Sequence, residues 1–190
     1  MKGFKDTQGN FHPTENKIGV RKSIDKTTKT TGIKLNPIKR KSRGIDLPIN
    51  NISKEEIINI NKEVLQDPQI IDPSNIEPFA VREEINQVID IIDKVGKTDN
   101  REENLIEKAS YMMASISWLQ PFVGGNKRTA FISTQKFLED NGYSFSVKSK
   151  EEKYELIRLL NEIQNNRSEL DIETLQEIIF YIRKRIKKHG

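Results

Sequence analysis

The sequence predicts an all-α fold, a helical bundle over residues 45–190 preceded by a disordered basic tail over residues 1–44. Two observations carry that prediction. Beyond residue 52 the apolar residues recur at helical spacing between recognisable start and stop signals, whereas before residue 44 they follow no sustained period. Charge also divides at the same place, with 12 Lys/Arg against 3 Asp/Glu in residues 1–44 and 20 against 25 in the remainder. A Lys/Thr/Asn/Gly-rich segment of that charge has too little apolar surface to offset the entropy of ordering it.

The boundary falls at Gly44–Asn51, where Pro48 biases Leu47 away from helix. Ser53 and Glu56 have the spacing of a capping box, and Ile57, Ile58, Val64 and Leu65 follow before Pro68 stops the helix. A second helix is predicted over Ala80–Val95, with Ile85, Val88, Ile89 and Ile92 on one face and Gly96 as its cap. Between them, Ile70 to Val81, with Phe79, has room for a small flap or an ordinary connection. Asn100 and Glu103 form the next capping pair, and Leu105, Ala109, Met112, Ile116 and Leu119 trace a buried stripe until Pro121. Met112, Met113 and Trp118 lie on or beside that stripe and read as core.

A fourth helix starts near Asn126, carries Ala130, Phe131, Thr134, Phe137 and Leu138, and stops at Asn141-Gly142. Tyr143 to Val147 alternates as a very short extended segment. Ser149 and Glu152 then cap a helix through Leu156, Leu159, Leu160 and Ile163, and Leu175, Ile178, Ile179, Ile182 and Ile186 form the stripe of the last one.

Composition excludes several classes. The chain has no cysteine, hence no disulfide framework and no thiolate metal site, and a cytoplasmic location is expected. No apolar run reaches the roughly 20 residues of a membrane span, so no membrane partner is expected. The basic tail leaves nucleic-acid binding open as a further function.

The chemistry concentrates in Gln120-Pro121-Phe122-Val123-Gly124-Gly125-Asn126-Lys127-Arg128-Thr129-Ala130. Gly124 and Gly125 permit positive φ and close approach of a ligand. The free N–H groups opening the next helix carry the positive end of its dipole. With Asn126, Lys127 and Arg128 these make a phosphate cradle, although Gly-Gly-Asn alone is also an ordinary helix-helix turn.

The whole string resembles the signature of the Fic/Doc family, His-Pro-Phe-x-(Asp/Glu)-Gly-Asn-(Gly/Lys)-Arg, and Lys127-Arg128-Thr129-Ala130 is similar to the Doc-like branch. The resemblance covers roughly Ile52 to Ile186, includes the turn at Phe137–Tyr143, and implies a Fic/Doc-like helical bundle. It also implies a domain that moves part of a nucleotide, usually AMP from ATP, onto a protein hydroxyl. In that scheme the motif His takes the hydroxyl proton, the motif acid holds Mg²⁺, and Gly125, Asn126 and Arg128 bind phosphates. Phe122 would anchor the loop, and Lys127 is the variable position. The Doc likeness suggests a target or antitoxin protein as partner.

Two departures bear on that scheme. Gln120 stands at the His position, and a carboxamide has no useful basicity near neutral pH. Gly124 stands at the acid position and offers Mg²⁺ no side-chain oxygen. The histidines are His12 and His189, and no Asp or Glu occurs from Ser110 to Leu138, with Glu107 and Glu139 outside the loop. Phe131 occupies the place of a second motif Arg, as in the Doc-like branch. The expectation is a degenerate nucleotide-, phosphate- or partner-binding protein, with no metal site and Mg²⁺ without its ligand. The alternatives are an active protein adenylyltransferase or Doc-type phosphotransferase, or nucleic-acid binding by the tail.

Overall fold

In a computed structural model the described residues are 3–5, 11–13, 48–67, 79–166 and 168–189. The chain forms two units, residues 1–42 and 43–190. In the first, β1 (Gly3–Lys5) and β2 (Phe11–Pro13) pair antiparallel with Phe4 opposite His12. The rest of the tail predicted to be disordered lies outside the described residues.

The second unit is a helical bundle. Its helices are α1 (Lys54–Gln66), α2 (Glu84–Lys94), α3 (Arg101–Leu119), α4 (Asn126–Asp140), α5 (Lys150–Asn165) and α6 (Ile172–Arg185). The capping boxes predicted from Ser53–Glu56 and Ser149–Glu152 both form. Main-chain N–H donation from Ser53 holds the Glu56 carboxyl below its usual range. A depressed carboxylate stabilises the fold above the ordinary carboxylate pKa, and its contribution fades as pH falls through the lowered value. At the third helix the pair differs from expectation: Asn100 caps through Oδ1, accepting from the N–H groups of Glu102 and Glu103, while the Glu103 carboxylate pairs with Arg183 at 2.5 Å.

The centre is α3, which packs against α2, α4, α5 and α6. Leu105, Ile106, Met112, Met113 and Ile116 are at most 1% exposed. Each such side chain contributes roughly 1.5–3 kcal/mol relative to an exposed one, which makes this helix the core on which the others are laid. Met112 and Met113 are core as expected, whereas Trp118 is half-buried at the edge of the core and faces a cavity.

Two boundaries differ from the sequence expectation. The second helix begins at Glu84 rather than Ala80, because the main chain of residues 80–82 is used elsewhere. Arg82 N–H donates to the Pro121 carbonyl at 2.8 Å and Val123 N–H to that of Ala80 at 3.4 Å, making an antiparallel bridge of Val81 with Phe122. The flap predicted before it lies, over residues 68–78, outside the described residues.

Ile186 is not part of the last helix: Ile186–Lys188 is a strand, β4, antiparallel to β3 (Tyr143–Phe145), with Phe145 opposite Ile186. A basic helix terminus and a short basic edge strand look alike in sequence. Pairing to β3 supplies main-chain partners that a last helical turn would lack. No helix among the described residues is long and apolar enough to cross a membrane.

Candidate functional site

The loop between α3 and α4 is folded by its own side chains. At the end of α3 the backbone of Gln120 turns left-handed, with φ 50° and ψ 56°. Among the described residues this is the one non-glycine with positive φ, and such residues concentrate where surrounding contacts hold a strained conformation in place. Its side chain is held at both ends: Nε2 donates to the Ser117 carbonyl at 2.5 Å, and Oε1 accepts from Asn126 Nδ2 at 3.1 Å.

Asn126 is 6% exposed and closes the loop upon itself. Oδ1 accepts the Phe122 N–H at 3.0 Å, and Nδ2 donates to the Phe122 carbonyl at 2.8 Å as well as to Gln120. Both of its donors are therefore taken within the loop, so this carboxamide, expected to bind phosphate, holds the shape of the loop. Phe122, the residue expected to anchor the loop, is 1% exposed.

Gly125 takes φ 74° and ψ 4° immediately before α4. A Cβ there would meet Asn61 Nδ2 and Val64 Cγ1 at 3.1 Å, so both conformation and space call for glycine. No side chain caps α4, which leaves the N-terminal N–H groups of that helix to the loop and its surroundings.

A cavity of about 260 Å³ opens over these groups, lined by residues 123–128 with Gln120 and Gln164. Thus Gly124, Gly125, Asn126, Lys127 and Arg128, all expected at the phosphate site, do come together. Arg128 Nη1 is buried with no hydrogen-bond partner among the described residues. An unpartnered buried guanidinium nitrogen costs free energy unless an acceptor reaches it. Lys127 Nζ donates to Asn161 Oδ1 of α5, a neutral partner.

Several residues at the site had no counterpart in the sequence reading. Asn61, fully buried in α1, donates through Nδ2 to the Gly124 carbonyl and to Thr129 Oγ1, both at 2.9 Å. One sign of it was legible, a polar residue inside the apolar face made by Ile57, Ile60 and Val64. Arg82 Nη1 donates to the Gln120 carbonyl at 3.4 Å. A second cavity of about 580 Å³ shares Gln120, Val123 and Gln164 with the first and adds Arg82, Glu84, Gln87 and Trp118. Glu84 thus brings a half-buried carboxylate to a cavity that Gln120 also lines, although no acid is near it in sequence.

His189 does not supply a base at the loop. His189 donates its main-chain N–H to the Gly142 carbonyl, beyond the far end of α4, roughly 20 Å along the helix from the loop. His12 belongs to the other unit. Glu107 accepts the Gly96 N–H. Gly124 offers Mg²⁺ no side-chain oxygen, and its carbonyl accepts from Asn61. Among the described residues no three His, Cys, Asp or Glu side chains are grouped to hold a metal ion.

The search of curated proteins returned no match to this chain. The family model described as Fic/DOC family matches residues 51–138, which span α1 through nearly all of α4 and include the whole loop. Over those residues the helices and the loop between α3 and α4 coincide with the family match, so residues 51–138 are similar to the Fic/DOC family.

Proposed function

We propose that this chain binds a phosphate-bearing ligand, a nucleotide foremost, in the cavity over Gly125 and Arg128, and lacks the base and metal ligand that the family scheme uses for transfer. The observation that carries the reading is Arg128, which lines the cavity beside an uncapped helix start and whose buried Nη1 has no partner among the described residues. A phosphate oxygen in the cavity would give the Arg128 guanidinium a charge-assisted hydrogen bond. Gln120 supports the other half, since its carboxamide is held by Ser117 and Asn126 and has no proton-accepting nitrogen.

Calorimetry with ATP, ADP and GTP tests this reading. Binding is expected in the native chain and is expected to fall by about 10- to 100-fold in Arg128→Ala, the loss of one hydrogen bond to a charged group. Absence of heat at millimolar nucleotide would remove the reading's basis.

Glu84 favours a second reading, that of an active transferase. A target hydroxyl in the larger cavity would attack the α-phosphorus of a nucleoside triphosphate, pass its proton to the Glu84 carboxylate and release diphosphate. Labelled nucleotide offered to a lysate would then mark protein in a Glu84-dependent way, with Glu84→Gln reducing the label by roughly 10²- to 10⁴-fold. Equal labelling by the native chain and Glu84→Gln, or none by either, counts against it.

A further inference from the structure

Asn61 is buried, lies 63 residues before the Gly124 it binds, and belongs to no motif. Its Nδ2 makes two bonds at 2.9 Å, one to the last carbonyl before Gly125 and one to Thr129 Oγ1 in the first turn of α4. The two contacts span the junction at which the loop becomes a helix.

The carbonyl of Gly124 and the N–H of Gly125 belong to one planar trans peptide and point in opposite directions. With the carbonyl drawn towards α1 by Asn61, the N–H is directed the other way, and both glycines line the anion-sized cavity. Rotating this peptide by half a turn would reverse it, presenting a carbonyl oxygen where the N–H had been. That rotation carries the φ of Gly125 from 74° into the negative region, and glycine occupies both regions readily. The main chain at Gly124-Gly125 therefore does not select its own orientation, and a side chain outside the loop has to.

We infer that Asn61 is a positioning residue that holds the Gly124–Gly125 peptide with its N–H towards the cavity, and so makes the loop attractive to anions rather than repellent. The inference rests on the phosphate-binding reading above. Two further observations support it. Asn61 Oδ1 is itself buried without a partner among the described residues, a cost that an apolar side chain of similar volume would avoid, so the two donated bonds and not burial explain an asparagine there. Its Nδ2 also lies 3.1 Å from where a Cβ of residue 125 would stand, packing directly against the unit it orients.

The test uses the full chain, inorganic phosphate as probe, and ¹⁵N–¹H spectra with calorimetry at a temperature well below the unfolding transition. In the native chain the Gly125 amide resonance is expected to move on adding phosphate. Asn61→Leu keeps the volume and removes the donors, and its phosphate affinity is expected to fall by at least about tenfold, with the Gly125 shift lost. Asn61→Ser, which keeps one short donor, is expected to lie between the two and serves if the leucine variant does not fold. A merely structural Asn61 would lower the thermal midpoint but leave the dissociation constant and the Gly125 shift as they were, which overturns the inference. A native chain that binds phosphate without moving the Gly125 resonance overturns it too, with no variant needed. If the native chain binds no phosphate, the reading of the cavity falls and this inference with it; if it binds and Asn61→Leu binds equally, only the role of Asn61 falls.

Discussion

The double variant Gln120→His with Gly124→Asp is expected to transfer labelled nucleotide to protein faster than the native chain by about 10²- to 10⁴-fold, the usual contribution of a general base. The family scheme places its base and its metal carboxylate at these two positions, and the loop around them is otherwise built. Position 120 adopts φ 50°, a conformation in which histidine is among the better tolerated non-glycine residues. At position 124 the contact with Asn61 is made by the main-chain carbonyl, which an aspartate keeps. Replacing Gln120 removes the acceptor for one Asn126 bond, but Asn126 retains both of its bonds to Phe122 and with them the shape of the loop. Either single variant is expected to fall well short of the pair, since base and metal act on the same step. Native turnover equal to that of the double variant would mean that the chain has its own base, and Glu84 would be the first residue to replace.

Phe122→Ala is expected to cost about 3–5 kcal/mol of stability, the usual range for deleting a buried phenyl ring. In a unit of this size that lowers the thermal midpoint by roughly 10 °C. The ring is 1% exposed and joins the core under the loop, while its main chain carries both Asn126 bonds and forms the bridge with Val81. The ring thus ties to the core the residue whose main chain holds both Asn126 and Val81. Calorimetric unfolding measures the loss, and nucleotide titration of the folded variant is expected to weaken in parallel. A midpoint within a degree or two of the native one would show that the loop is held without its ring.

How far the sequence reached can be judged from particular residues. Ser53, Ser149 and the periodic apolar stripes specified helices whose ends the structure shares to within a residue or two, because a cap acts over three residues and a stripe over one helical turn. The same locality explains the misses. Ala80 and Val81 read as helix because nothing nearby announces that Pro121 and Val123 will take their main chain. Ile186 fits the stripe of α6 equally well whether it ends that helix or pairs with Phe145.

At the site the division is sharper. That residue 120 carries an amide and residue 124 no side chain follows from the sequence alone, as does the presence of Arg128 in the loop, since these are statements of identity. Tertiary structure alone decided that Asn126 spends its donors inside the loop, that Arg128 Nη1 lacks a partner among the described residues, that Asn61 and Gln164 meet the loop, and that Glu84 shares a cavity with Gln120. Hydrogen bonds that join residues 63 positions apart leave no periodicity and no short spacing, so they come into view only when the helices that carry them have packed.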